Sequence, residues 1–124
     1  METQNKTIIV NTIKENILKN SNGITLNFKG DIQNFRNGFY VSITNNKIDL
    51  KKIDKSIKQL IQIKKQFFSE LNNLFIGSWI DEKENVLYLD LSFYIEDKNT
   101  ALNTAQQFKQ KAVFDILNLN SVYL

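Results

Sequence analysis

Residues 74–94, LFIGSWIDEKENVLYLDLSFY, decide the fold of this chain. Two apolar runs, 74–80 and 86–94, flank a polar segment at 81–85, a pattern typical of two antiparallel strands joined by a hairpin loop. Side chains alternate along a strand, so the second run has two different faces. One face carries Leu87, Leu89, Leu91 and Phe93, and the other carries Tyr88, Asp90, Ser92 and Tyr94. The apolar face is predicted to be core, and the hairpin to be the centre of a sheet.

Apolar periodicity predicts further elements on both sides of this hairpin. Residues 7–19 fit a strand start or a helix, and the helix is favoured. The other expected elements are strands at 24–28 and 38–44, a turn at 45–47, helices at 49–71 and 98–112 with Asp49 and Asp97 as N-caps, and one or two short closing strands within 113–124. The expected fold is a single domain over 1–124, an α+β fold with a mainly antiparallel sheet and two or three helices packed on one face.

Composition narrows the possible chemistry, because the chain of 124 residues has no His, no Cys and no Pro. An imidazole base, a thiolate nucleophile, a disulfide and a zinc site of the usual type are therefore excluded. Carboxylates around Asp81 and Asp90 fit a magnesium-dependent nuclease, but polar hairpin loops often carry such residues for solubility. We expect no enzyme, no cofactor and no metal site. The lack of a signal peptide or membrane-length apolar stretch predicts a location in the cytoplasm and no membrane partner.

Charge is unevenly distributed, although the net charge is only +3. Residues 1–65 carry eleven Lys and Arg36 against five acids, and residues 66–124 carry four Lys against eight acids. Lys51, Lys55, Lys58 and Lys65 form a stripe on the predicted 49–71 helix, which is a possible phosphate contact. The stripe is more typical of a solvated helix face, and no aromatic residue accompanies it for base stacking. Nucleic-acid binding is therefore possible but not favoured.

The polar face of the predicted sheet is rich in tyrosine. If strands 38–44 and 86–94 share a sheet, Tyr40 and Ser42 extend the face that carries Tyr88, Asp90, Ser92 and Tyr94. Tyrosine combines a large contact area with a hydroxyl that orients a partner, so such a face usually contacts something. The interpretations are an oligomer interface, a site for a planar ligand such as a nucleobase, or a surface covered by a helix. A homo-oligomer is favoured.

Four short motifs, in this order and spacing, resemble small accessory proteins of bacteriophages, prophages and conjugative elements. They are GFYVS at 38–42, GSWID at 77–81, YLDLS at 88–92 and QKAVFD at 110–115. The resemblance implies a mobile-element origin, and small phage proteins without catalytic residues are often inhibitors of host immunity. In size, origin and lack of catalytic residues the chain is similar to the Thoeris anti-defence sponges, oligomers that sequester cyclic ADP-ribose isomers made by TIR-domain enzymes.

This resemblance implies a non-catalytic anti-defence protein that binds and sequesters a cyclic nucleotide-like immune signal. The expected ligand contacts are stacking by Tyr40, Trp79 or Tyr88, a phosphate contact by Arg36 or a lysine, and base or ribose contacts by Asp90 or Gln110. The alternatives are a direct protein inhibitor of a bacterial immune effector, similar to an anti-CRISPR protein, and a weak nucleic-acid-binding accessory protein. The partners are then a nucleotide-like small molecule or a host defence protein.

Overall fold

Antiparallel pairing of the two apolar runs forms the middle of the sheet. The structure, a computed structural model, describes residues 2–19, 23–81, 83–84 and 86–124. The helices are α1 (Glu2–Leu18), α2 (Ile53–Phe67) and α3 (Lys98–Gln107), and the strands are β1 (Gly23–Leu26), β2 (Phe39–Ile48), β3 (Leu74–Asp81), β4 (Val86–Ile95), β5 (Ala112–Asp115) and β6 (Asn120–Tyr123). The strand order is β1-β3-β4-β2-β5-β6, and every neighbouring pair is antiparallel.

One face of this sheet is the core face. Leu87, Leu89, Leu91 and Phe93 are all buried, as the alternation along β4 predicts. The same apolar cluster contains residues of all three helices, namely Ile9, Val10 and Ile13 of α1, Ile53, Ile57 and Leu60 of α2, and Ala101 and Ala105 of α3. The small alanines let α3 approach the sheet closely. The predicted α+β fold, with its helices on one face of an antiparallel sheet, is confirmed.

Of the two predicted N-caps, Asp97 caps its helix as expected, whereas Asp49 caps a 3-10 turn, and α2 itself begins later than predicted, at Ile53. The Asp49 side chain accepts a hydrogen bond from the Lys51 amide, at the start of a 3-10 turn that leads into α2. The Asp97 side chain accepts one from the Thr100 amide at 2.8 Å, at the start of α3. These carboxylates satisfy amides that have no partner within the first turn of a helix. The N-terminal helix, which was weighed against a strand, is confirmed as α1.

Two predicted helix ends are wrong. Helix α2 ends at Phe67 rather than at residue 71, and α3 ends at Gln107, so Ala112 belongs to strand β5 rather than to the helix. After α3 the backbone of Lys109 has a φ of 56°, and the Gln110 amide donates to the Ala105 carbonyl. This arrangement is a Schellman motif, in which a left-handed residue ends the helix. The alanine spacing alone could not reveal it.

The predicted turn at 45–47 is also wrong, because these residues continue β2. Asn45 pairs with Asp90, Asn46 with Leu89 and Lys47 with Tyr88. A β-bulge between Ser42 and Thr44 shifts the register, so Thr44 lies opposite Leu91 instead of on the tyrosine-rich face. A bulge adds one residue to one strand and thereby changes the alternation of side chains beyond it. Strand β2 is therefore long enough to span β4.

No helix within the described ranges is both long and apolar enough to cross a membrane.

Candidate functional site

The face of the sheet opposite the helices, here called the outer face, is concave and holds a cavity. Its volume is about 670 Å³, within the range of about 300 to 1,000 Å³ that is usual for small-molecule sites. Residues from all six strands, from the loop between β1 and β2 and from the turn before β6 line it: Gly23, Ile24, Thr25, Ile32, Gln33, Asn34, Tyr40, Ser42, Gly77, Ser78, Trp79, Asp90, Ser92, Ala112, Val113, Phe114, Leu119 and Ser121. The cavity therefore extends across nearly the whole width of the sheet.

The floor of the cavity is polar and is built around Asp90 of β4. Asp90 lies directly opposite Gly77 of β3, and a Cβ atom at position 77 would collide with the Asp90 carboxylate. Glycine at the middle of a strand weakens it, and it often marks a place where another group approaches the backbone closely. Here the group is the carboxylate, which occupies the space above Gly77. The glycine thus allows Asp90 to lie across the sheet surface within the cavity.

The environment of Asp90 disfavours its charged form. Burial raises the pKa of this carboxyl to about 6, although hydrogen bonds from the Ser92 hydroxyl and the Gly77 backbone lower the pKa. The Ser92 hydroxyl donates to Asp90 Oδ1 over 3.4 Å. Among the described residues, salt bridges join Lys6 to Asp54 and Lys47 to Glu84, and neither involves Asp90. Asp90 is therefore a partly buried carboxylate that lacks a paired cation at neutral pH.

An aromatic wall rises beside this floor. Trp79 stacks on Tyr88 with ring centroids 4.5 Å apart and an angle of 10° between the rings. On its other side the cross-strand neighbour of Trp79 is Gly23, which has no side chain to cover the indole. Trp79 is accordingly 46% exposed, although it lies within the sheet. Tyr88 thus supports one side of an indole that lines the cavity.

The loop between β1 and β2 forms a second wall, and local hydrogen bonds hold it in place. The Asn27 side chain accepts from the amides of Lys29 and Asp31, and the Gln33 amide donates to the Thr25 carbonyl over 2.8 Å. Asparagine favours such turns because its side chain replaces a backbone partner. The loop therefore brings Ile32, Gln33 and Asn34 to the cavity.

An aromatic cluster closes one end of the outer face. Phe35 of the same loop stacks on Tyr94 at 3.7 Å and packs edge-on against Tyr40 and Phe75. The Tyr94 hydroxyl donates to the Asn37 carbonyl over 3.0 Å, which ties the loop to β4. Burial raises the pKa of the Tyr40 hydroxyl, a hydrogen bond with Thr25 opposes that change, and the nearby Asp90 charge adds to it. Tyr40 is thus a neutral hydroxyl close to the carboxylate at physiological pH.

The structure brings four of the six expected contact residues together. Tyr40, Trp79 and Asp90 line the cavity, and Tyr88 supports Trp79 from behind. Arg36 is exposed on the β1–β2 loop and Gln110 lies in the turn after α3, where its side chain donates to the Phe108 carbonyl. Neither of these two lines the cavity. The assumption that strands β2 and β4 share one sheet is confirmed, since Tyr40 pairs with Tyr94 and Ser42 with Ser92.

Sequence reasoning missed the residues that other elements contribute to the cavity. These are Thr25 of β1, Ile32 to Asn34 of the loop, Phe114 of β5, and Leu119 and Ser121 at the start of β6. Their sequence neighbourhoods carry no signal for a site. Gly77 did carry one, because a glycine inside a predicted strand points to a close approach at that position.

The magnesium-site alternative gains no support from the geometry. Over the described ranges, no group of three or more side chains from Asp, Glu, His and Cys is placed to hold a metal ion. Lys47 instead pairs with Glu84 at 2.7 Å beside the hairpin loop, which is an ordinary surface salt bridge.

Comparisons of this chain with protein families, with curated proteins and with solved structures found no match.

The contact between Gly77 and Asp90 leads to a first prediction. We expect Gly77→Ala to lower the free energy of unfolding by about 1 to 2 kcal/mol, because the new methyl group displaces the carboxylate from its place on the sheet. Urea denaturation measures the change. In an Asp90→Ala background the same substitution should cost clearly less, since the colliding group is gone. Equal costs in the two backgrounds would contradict this account of the cavity floor.

Proposed function

We propose that this protein binds a small planar, nucleotide-like molecule in the outer-face cavity and holds it without chemical change. The observation that carries the proposal is the pairing of an indole open on one side with a polar floor in one cavity. Aromatic faces stack on flat rings, and a few placed polar groups orient them. With neither His nor Cys in the chain, proton transfer by an imidazole and thiol chemistry have no residue to support them.

The charge of the cavity suggests which part of such a ligand would enter. Asp90 is the one charged side chain among the described residues that line it. A phosphate placed beside this carboxylate would be repelled, so the ring would occupy the cavity and the phosphates would extend outward. Arg36 and the many surface lysines lie outside the cavity, where they can meet an anionic group. The biological role that we propose is sequestration of an immune signal, which was expected from the resemblance to phage accessory proteins.

Incubation of the purified protein with a mixture of cyclic oligonucleotides and cyclic ADP-ribose isomers tests this function. The protein is separated from free ligand and heated, and the released molecules are identified by mass spectrometry. Recovery of an unchanged compound supports the proposal, whereas an altered compound identifies an enzyme. Failure to retain any compound, together with a stable complex with a defence protein, would instead identify a direct inhibitor. A Trp79→Ala variant is the control for retention at this cavity.

We also propose that the protein self-associates through one of the two edges of the sheet. The β1 edge is covered by the chain itself, since Leu26 pairs with Ile32. At the other edge β6 carries exposed apolar side chains on or beside it, with Leu119 76%, Tyr123 74% and Leu124 56% exposed. Uncharged exposed edge strands readily pair with another chain. We expect light scattering at micromolar concentration to give at least twice the protomer mass, and Tyr123→Lys on β6 to reduce it. A single protomer mass in physiological salt would contradict the expectation.

A further inference from the structure

The groups that face the cavity also indicate which ring would be selected. Building on the proposed binding function, we propose that the cavity recognises a planar ring or group whose edge carries two adjacent N–H donors, and that Asp90 pairs with that edge. The Watson–Crick edge of guanine and an amidinium group share this chemistry. Adenine does not, because its corresponding edge pairs one N–H donor with a ring nitrogen that accepts.

The Asp90 carboxylate can accept more hydrogen bonds than the protein donates to it. An ionised carboxylate only accepts hydrogen bonds, and its two oxygens match two parallel N–H donors on a flat group. Ser92 donates to Asp90 Oδ1 over a long 3.4 Å. The Gly77 backbone is the other hydrogen-bond partner of the carboxylate. These two donors leave part of the accepting capacity of the two oxygens unused. A ligand with two donors would satisfy them together.

No Lys or Arg side chain is among the described residues that line the cavity. A partly buried carboxylate without a paired cation costs folding free energy, so proteins usually pair such groups or place them where a ligand supplies the donors. Asp90 is in neither salt bridge of the described residues, and the other described side chains that line the cavity are uncharged. A cationic or donor-rich ligand edge would compensate the carboxylate, whereas an accepting edge would be repelled by it.

The Trp79 indole, on which a flat ring would stack, lies near Asp90 on the outer face. Trp79 pairs with Tyr88, and Gly77 pairs with Asp90, so Trp79 and Asp90 are diagonal neighbours on the outer face. Diagonal neighbours of this kind lie about 7 to 8 Å apart. A bicyclic base that stacks against the indole therefore has the size needed to bring its edge to the carboxylate. The bare backbone at Gly77 leaves no side chain between them.

Equilibrium titration at pH 8 tests the inference, with guanosine, inosine, adenosine and benzamidine as probes. Trp79 is the only tryptophan, so quenching of its fluorescence reports binding at this wall, and isothermal calorimetry measures the affinity independently. Inosine keeps the ring of guanosine and lacks the amino group beside N1. Losing one hydrogen bond to a charged acceptor should weaken binding by about 10- to 100-fold. We expect guanosine to bind more tightly than inosine and adenosine by this factor.

Two aspartate variants complete the test. Asp90→Asn keeps the shape of the side chain and removes its charge, and we expect it to abolish the preference for guanosine over inosine. Asp54→Asn is the matched control, because Asp54 is exposed on α2, and it should leave all affinities unchanged. If benzamidine binds and guanosine does not, and if Asp90→Asn abolishes the binding of benzamidine, the inference is supported and the ligand is cationic.

The outcomes separate this inference from the function on which it rests. If adenosine and guanosine bind equally and Asp90→Asn changes neither affinity, the inference is wrong and the binding function stands. If none of the four probes binds, the inference is overturned as well. The mass-spectrometric search for a retained compound then decides independently whether the cavity binds any small molecule.

Discussion

Replacing Leu89 by aspartate is expected to destabilise the protein by about 4 kcal/mol or more. Leu89 is fully buried at the centre of β4, against the apolar residues of the helices. Leucine-to-alanine changes in cores cost about 2 to 5 kcal/mol, and an unpaired buried charge adds to that cost. A typical domain has only about 5 to 15 kcal/mol of stability in total. The variant should therefore be largely unfolded, or should melt about 15 °C or more below the parent protein.

Circular dichroism melting measures this effect, and Leu117→Asp is its matched control. Leu117 is 68% exposed in the turn between β5 and β6, so the same change of side chain should shift the melting temperature only slightly. A soluble Leu89→Asp variant that melts at the parent temperature would show that this side of β4 is not the core.

Removing the charge of Asp90 should raise the free energy of unfolding, in contrast to the Leu89→Asp substitution. The folded-state pKa of about 6 lies above the ordinary value of 3.8, so the native state holds its proton more strongly than the unfolded chain does. A raised acid pKa means that stability falls as pH rises from about 4 to 6 and stays low above that window. A shift of this size corresponds to at most about 3 kcal/mol. We therefore expect Asp90→Asn to gain about 1 to 3 kcal/mol at pH 8.

The pH profile gives this prediction a second readout. With no histidine in the chain, Asp90 is the side chain expected to dominate titration between pH 5 and 8. The parent protein should lose about 1 to 1.5 kcal/mol over that interval, and Asp90→Asn should lose little. Urea denaturation at several pH values measures both. A flat profile for the parent protein would contradict the raised pKa.

Asp97 is a control for Asp90, because the pKa of its carboxyl is lowered rather than raised. Hydrogen bonds from the Thr100 amide and hydroxyl lower the pKa of the Asp97 carboxyl. The ionised Asp97 therefore stabilises the folded protein at neutral pH, and this stabilisation is lost in acid. Asp97→Asn should therefore not stabilise the protein at pH 8. A variant that gains stability while losing ligand selectivity, as expected for Asp90→Asn, is typical of a residue retained for function rather than for folding.

The sequence by itself determined the layout of the fold. Alternation along 86–94 identified the core face of β4, because side chains of a strand point to opposite faces. Asp97 marked the start of α3, and Asp49 marked the 3-10 turn that precedes α2, each through a local hydrogen bond to the following turn. Such signals depend only on neighbouring residues, which is why they can be read from the chain. The same alternation placed Tyr88 and Asp90 together on the outer face.

Only the tertiary structure decided how that face becomes a cavity. The bulge after Ser42 extended β2 beyond its predicted end, and the left-handed Lys109 ended α3 early, because backbone geometry rather than composition sets both. The walls come from the β1–β2 loop and from β5 and β6, which reach Asp90 only through long-range pairing. Arg36 and Gln110 lie outside the cavity for the same reason. Periodicity reports which face a residue occupies, and the distance between residues on different strands depends on a register that no local pattern encodes.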